Sequence, residues 1–358
     1  MRRPIQFAPS GHHPGHPGVV VPVRVDPDGV RGPTPGQAAG ARWRRTSRGF
    51  YVPAATSVES VDQRIVEAAQ VLPGYGGVTG WAALWWLGGR WFTGTRAGGS
   101  VQRDVTLATM IHARAQPGIG ISEERLGPRE LTYSDGLPIT HAVRSVCFEA
   151  RYAPDVGAAV RVFDLAAYND LVSWEECADY LAHLNGWTGV PQARKAHLLS
   201  CENAWSPREI DMRLIWHREA GHAMPECNAP VFDLDGRFVG TPDVIDPVAG
   251  VLGEYDGAHH LAGPQRSRDV RRESDFRRLG LEIVTMLAGD NHDPGHFRQR
   301  LRDCYARAAR RPASERRWTL DQPSWWIPTQ TVAQRRALSA HDRRRLLRHR
   351  QPQLPSSA

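Results

Sequence analysis

Lysine is almost missing from this 358-residue chain. Of its 45 basic residues, Lys195 is the single lysine and the other 44 are arginines, so any chemistry that needs a lysine amine has one residue to draw on. Cysteine is scarce too. Cys147, Cys177, Cys201, Cys227 and Cys304 are odd in number, far apart and without CxxC spacing. That argues against a disulfide framework or a cysteine-rich zinc site, and for buried thiols in a reducing cytosol. No stretch approaches the roughly 18 uninterrupted apolar residues of a membrane span. Arg2 and Arg3 have no apolar run behind them, so the N-terminus lacks the build of a signal peptide. No period of about 20–50 residues repeats, which excludes a solenoid. These absences lead us to expect a cytoplasmic protein.

What is present suits packed cores. The hydrophobic fraction is 41%, and the length favours two or three modules. The net charge of +7 is unevenly spread: residues 310–358 carry eleven arginines against Glu315, Asp321 and Asp342. The rest of the chain is close to neutral, so its basic character says little about the folded modules.

Residues 1–33 are rich in proline, glycine and histidine and read as a flexible leader, with His12, His13 and His16 inert in it. Beyond Thr34, residues 41–53 read as two short strands around Ser47-Arg48-Gly49. A helix over 58–71 follows, with Val61, Ile65, Val66 and Ala69 on one face. Trp81, Trp85 and Trp86 stand at helical spacing and read as core. Strands are expected over 101–109 and 131–140, then helices over 141–152, 156–169 (opened by Asp155) and 174–185.

The most sharply punctuated stretch is 206–309. Ser206-Pro207-Arg208-Glu209 has capping-box spacing with proline at the first helical position, and Gly221 closes that helix. Strands over 229–234 and 237–241 meet across Asp235-Gly236, a two-residue hairpin signal. A third strand over 250–255, a charged helix over 265–278 stopped by Gly280, and a buried strand over 281–287 complete an α-β-β-β-α-β order. That order predicts an α/β module with a mixed sheet packed by helices.

Three acids in this module carry the chemistry. Asp243 follows Pro242, Glu254 ends the third strand, and Asp256 lies two residues on, so it shares a face with Glu254 and Leu252. Carboxylates converging from neighbouring strands repel unless a proton or a cation lies between them. Mg²⁺ suits such a place, because it takes few protein oxygens and favours phosphates for the rest of its shell. There it would polarise a phosphoryl oxygen and acidify a water. His259 and His260, just beyond, offer imidazoles for proton transfer. Glu209 has two readings: it closes the capping box on the Ser206 N–H, or it joins the acids.

Pro242-Asp243 with Glu254-Tyr255-Asp256 resembles the PD-(D/E)XK nuclease motif, and the match is nearer to its very-short-patch-repair (Vsr) branch. Domains of that branch carry an E-x-D-G-x-x-H strand end, matched by Glu254, Asp256, Gly257 and His260. An arginine-rich helix and a G-x-x-hydrophobic strand follow, matched by Asp269–Glu273 and Gly280–Val284. The resemblance implies a restriction-endonuclease-like domain over 196–311 that hydrolyses DNA phosphodiesters with Mg²⁺. Asp243 and Glu254 would be the metal ligands, with Asp256 close by and Glu209 as a first-helix acid. His260 would be the general acid or base, and Arg268, Arg271 and Arg272 would follow DNA phosphates.

The chain departs from the commoner nucleases of that superfamily at one position. Asp256 stands where they have a lysine two residues after the glutamate, and Lys195 precedes the domain altogether. A lysine-assisted mechanism is therefore excluded, which leaves the Asp243–Glu254–His260 version.

Upstream, Thr34-Pro35-Gly36-Gln37, the Trp43–Tyr51 segment and Ile139-Thr140 are similar to AbiEi-type antitoxin and regulator modules of actinobacteria. The similarity implies a winged-helix-like module over 34–95, a mixed α/β connector over 96–195, DNA contact through Arg44 and Arg45, and a place for a toxin partner. Gly32, Pro33, Pro35, Gly36 and Gly40 crowd the site of a recognition helix, so the wing is its better-matched part. The competing functional expectation is thus a DNA-binding regulator whose nuclease-like domain does not cleave. Residues 312–358 read as a basic tail. Within it, 335–350 forms an amphipathic helix with Leu338, Leu346 and Leu347, either touching nucleic acid by charge or extending into solvent. Trp325 and Trp326 are expected to dock on the nuclease-like domain.

Overall fold

The computed structural model describes residues 9, 11–95, 101–257 and 264–350, with backbone only at 264–269 and 313. The fold is mixed α/β. The chain divides into two compact units, 1–153 with 176–193, and 154–175 with 194–358. None of the described helices is long and apolar enough to cross a membrane.

The first unit opens with β1 (Val23–Arg24), α1 (Pro35–Ala38), β2 (Trp43–Ser47) and β3 (Phe50–Pro53), and its strands form an antiparallel sheet in the order β1-β3-β2. The turn at Ser47-Arg48-Gly49 falls where the sequence predicts it, with Gly49 at φ +82°. Within the leader expected over 1–33, the described residues His16 and Val20 are tied to the rest of the unit. Val20 exchanges two 2.8 Å hydrogen bonds with the Gln63 side chain. His16 stacks on Trp86 with ring centroids 3.5 Å apart and hydrogen-bonds Asp62 at 3.0 Å. Such a segment is held by single contacts to distant residues, which leave no periodic signal in its own sequence.

Next come α2 (Val61–Ala69), β4 (Gly76–Thr79), α3 (Gly80–Trp86), β5 (Val105–Thr109), β6 (Ile119–Ser122), β7 (Leu131–Ser134), β8 (Leu137–Thr140) and α4 (Ala142–Arg151). A five-stranded mixed sheet runs β6-β5-β4-β8-β7, and Trp81 and Trp86 are buried beside it. The strand expected over 131–140 is a hairpin instead. Asp135 and Gly136 both take positive φ, 42° and 79°, which suits a two-residue hairpin turn.

The chain then forms α5 (Val156–Tyr168), capped by the Asp155 carboxylate on the Ala158 N–H at 2.8 Å, followed by α6 (Trp174–Ala182) and α7 (Val190–Leu198). In the second unit α8 (Pro207–Leu214) runs into a π-helical turn, Ile215–Glu219. Five strands follow: β9 (Glu226–Cys227), β10 (Val231–Asp233), β11 (Phe238–Gly240), β12 (Val244–Asp246) and β13 (Val251–Asp256). Then come α9 (Pro264–Arg278), β14 (Glu282–Leu287), α10 (Gly295–Ala308), β15 (Trp318–Thr319), α11 (Val332–Arg336) and α12 (Ala340–Leu346).

The main sheet of this unit is ordered β14-β13-β12-β9 and is mixed: β13 and β14 are parallel, while the other pairs are antiparallel. Ile245, Leu252, Phe276, Leu281 and Trp318 form the core on one face. On the other face β13 comes close to α8. A methyl group at Gly253 would stand 2.8 Å from Val244 Cγ2 and 3.0 Å from Trp216, so this crossing requires glycine. The buried Trp216 indole donates to Tyr305 Oη at 2.9 Å, and that hydroxyl donates to Asp246 at 2.6 Å. These bonds tie the π-turn, α10 and β12 together.

The tail reading needs correction. Trp318–Thr319 adds a strand beside β10, and Trp326 stacks on Phe238, as the docking expectation has it. The single helix expected over 335–350 is broken before Ser339, which caps a new helix through the Asp342 N–H. Arg335 is fully buried. It donates to Asp170 at 2.6 Å and to the carbonyls of Ala167, Glu202, Thr329 and Gln330. Arg343 reaches the other Asp170 oxygen at 2.7 Å. Arginines that read as a solvated or DNA-touching face are internal ties.

Candidate active site

The register of β12 and β13 pairs Val244 with Gly253 and Ile245 with Leu252. Continued one step, that register sets Asp243, just before β12, opposite Glu254 of β13. Asp243 is held in place, since its Oδ2 accepts the Tyr255 N–H at 2.7 Å. The Glu254 carboxylate meets Arg272 of α9 at 3.3 Å. The sheet thus supplies two acids and the helix a cation.

Glu209 joins them through an asparagine. Asn228 sits in the left-handed region at φ +49°, which asparagine tolerates better than most residues. Its backbone N–H donates to the Asp243 carbonyl at 3.0 Å, and its side-chain amide donates to Glu209 Oε2 at 2.7 Å. The same Glu209 oxygen accepts the Trp205 N–H at 2.7 Å. The Ser206 hydroxyl accepts the Glu209 N–H as expected, but the reciprocal half of the capping box goes to Trp205 rather than to Ser206. Burial, then the nearby Asp243 charge, push the Glu209 carboxyl up to about 8, against the hydrogen bonds from Trp205 and Asn228. Burial also raises Asp243, opposed by the Tyr255 N–H and by Arg272. Negative charge is crowded here beyond what the local donors neutralise.

Among the other expected residues, Asp256 ends β13 and is exposed. Arg271 is exposed on α9. His259 and His260 lie outside the described residues, as does the side chain of Arg268. In the first unit Arg44 makes a two-pronged pair with Glu67 at 3.0 and 2.6 Å, and Arg45 Nε donates to the Ser47 carbonyl at 3.1 Å. Sequence reading passed over Asn228, the residue that links two of the acids. Its only local signal is Asn-Ala-Pro, a turn sequence.

Asp243 and Glu254 offer hard oxygen donors from two neighbouring strands. No group of three or more His, Cys, Asp or Glu among the described residues is arranged to hold a metal ion. Two carboxylate ligands are few enough that a cation held here would keep most of its own water. A carboxyl that stays partly protonated near neutral pH can also hold or release a proton. No family model, curated protein or solved structure matches this chain.

Proposed function

We propose that the second unit is a Mg²⁺-dependent DNA endonuclease of the Vsr-like, restriction-endonuclease-like type. The observation that carries this reading is the link of buried Asp243, just before β12, to Glu209 through Asn228, with Glu254 on the neighbouring strand β13. Asp243 and Glu254 are the residues that would hold Mg²⁺, which when bound polarises a phosphoryl oxygen and acidifies a water. The Tyr255 N–H fixes the orientation of Asp243, so that its second oxygen keeps one direction. Glu209 holds a proton close to the acids. Arg272 stands against Glu254 and Arg271 one position before it on α9, where phosphate oxygens would lie along the helix. Cytoplasmic DNA is the substrate in this reading, and His260 is its candidate proton-transfer group.

A second reading is favoured by one contact. Arg272 already satisfies Glu254 with a cation, as suits a regulator of the AbiEi-like kind that holds DNA without cutting it, with or without a toxin partner. Plasmid nicking by the full chain with and without Mg²⁺ separates the two. Under the nuclease reading, Asp243→Asn and Glu254→Gln lose nicking while keeping DNA affinity. Equal background cleavage in wild type and both variants, with salt-dependent binding intact, leaves the binding reading.

A further inference from the structure

Away from the carboxylates, the second unit holds a buried polar cluster that the reading above does not use. Asp164 of α5 and Arg213 of α8 are both fully buried and meet at 2.5 Å. The Asp164 carboxylate also accepts the Cys201 N–H at 2.8 Å, and the Cys201 sulfur lies 3.7 Å from its other oxygen. The Asn203 amide, two residues past Cys201, donates to the Cys227 carbonyl at 3.0 Å and so holds the two cysteines near each other. Both line a recess of about 370 Å³ together with Arg213, Met224, Glu202 and Glu226. Cys201 is partly exposed, while Cys227 is buried at the end of β9. An apolar pocket would explain two buried thiols as simple packing. A fully buried guanidinium and carboxylate beside them are not needed for packing and change their chemistry.

We propose that Cys201 and Cys227 form a peroxide-reactive thiol–disulfide site, with Cys201 as the attacking thiol and Cys227 as the resolving one. The oxidant is a hydroperoxide small enough to enter the recess. The Cys201 sulfur attacks the peroxide oxygen, the O–O bond breaks, and the departing oxygen takes up the thiol proton as water or an alcohol. Cys201 is left as sulfenic acid. The Cys227 sulfur then displaces the sulfenic hydroxyl, which leaves as water with the Cys227 proton as the S–S bond forms. In total, two thiols and one hydroperoxide give one disulfide, water, and an alcohol or second water.

The surroundings support that division of roles. Thiolate, not thiol, is the reacting species, and nearby positive charge favours it. The Cys227 side chain and the Arg213 charge lower Cys201 from the ordinary thiol range, against its burial. Cys227, by the same interaction, is raised. Asp164 is raised by burial, so the single Arg213 charge is shared between the carboxylate and the Cys201 sulfur. The product would also be felt elsewhere. Cys227 directly precedes Asn228, and the Asn203 amide donates to both of their carbonyls, at 3.0 and 3.1 Å. Drawing Cys227 toward Cys201 therefore pulls on the residue that links Glu209 to Asp243. The thiol site itself stands whether or not those acids cleave DNA.

The test is peptide mapping of the full chain after stoichiometric hydrogen peroxide and alkylation. A Cys201–Cys227 disulfide that dithiothreitol reverses is expected, with Cys304 remaining a thiol. In Cys227→Ser, dimedone should trap sulfenic acid at Cys201; in Cys201→Ser, Cys227 should stay unmodified. Without peroxide, iodoacetamide should label Cys201 at least about tenfold faster than Cys304 at neutral pH, with a midpoint below the ordinary thiol range. A disulfide to another cysteine, labelling of Cys201 no faster than Cys304, or no disulfide in wild type overturns the proposal. The wild-type map and labelling rates decide it even if a variant does not fold.

Discussion

The C-terminal segment and helix α9 are both dense in arginine, and they use it in opposite ways. In the C-terminal segment Arg335 ends inside the protein among one carboxylate and four carbonyls. Arg350 is likewise drawn in, donating to the Tyr168 carbonyl and the Asn203 side chain, both at 2.9 Å. On α9, Arg271, Arg277 and Arg278 stay exposed, and the last two pair with acids one turn away, Glu273 and Asp275. Charge count does not separate the two regions. What separates them is whether acceptors from distant parts of the chain converge on the guanidinium.

The sharpest way to break this comparison is to remove one guanidinium from each region. Arg335→Ala leaves four carbonyls and one oxygen of Asp170 without their buried donor, with Arg343 still on the other oxygen, and should cost about 3–5 kcal/mol by urea denaturation. A loss no larger than that of an exposed arginine would show that the segment is only loosely attached. Glu209→Gln tests the acids between the two regions. Its carboxyl is raised to about 8 in the folded chain from an ordinary value of 4.5, so its contribution to stability is full below the lower value and is lost as pH rises through the upper one. The variant should therefore melt several degrees above wild type near the upper value and level with it at the acid end. No pH dependence in that difference would place Glu209 in ordinary solvent.

A smaller effect is expected at His349, which burial and then the charges of Arg350 and Arg335 lower to about 4. Stability from keeping it neutral is present above the unfolded value of 6.5 and is lost as pH falls through the folded one. His349→Gln should flatten the acid limb of the melting curve over that window and leave the neutral Tm nearly unchanged. The smallest change in stability is expected for Arg271→Ala, within about 0.5 kcal/mol. If α9 follows a phosphate backbone, the same variant should weaken DNA binding and lower the salt slope by about one. An unchanged slope would make α9 a solvated face.

How far the sequence could be read follows the same line between local and distant partners. Asp155 and Ser206 cap helices through neighbours three residues on, and Asp235-Gly236 turns between β10 and β11. All three are local, and all three were legible. Strands β9 and β12 were not, because two or three residues carry no alternation to detect. Asp243 and Glu254 stood out by residue type and spacing, but the link from Asp243 to Glu209 runs through Asn228, just after a strand too short to recognise. His16 and Arg335 were misread for one reason: both look solvated until Asp62, Trp86 and Asp170 are brought to them. Cys201, Asp164, Arg213 and Cys227 left no trace in spacing at all.

The clasp of Asp170 by Arg335 also sets an order in time. A ribosome delivers the chain from its N-terminus, and Asp170 emerges 165 residues before its cation. The second unit gathers 154–175 with 194–358, while 176–193 belongs to the first. The earlier unit is thus complete at 193, but Asp170, just past α5, waits for Arg335 until 165 residues further have been made. A ribosome stalled before Arg335 would hold a finished first unit and an open second one. Synthesis of the segment that carries Arg335 is thus one of the steps that close the second unit.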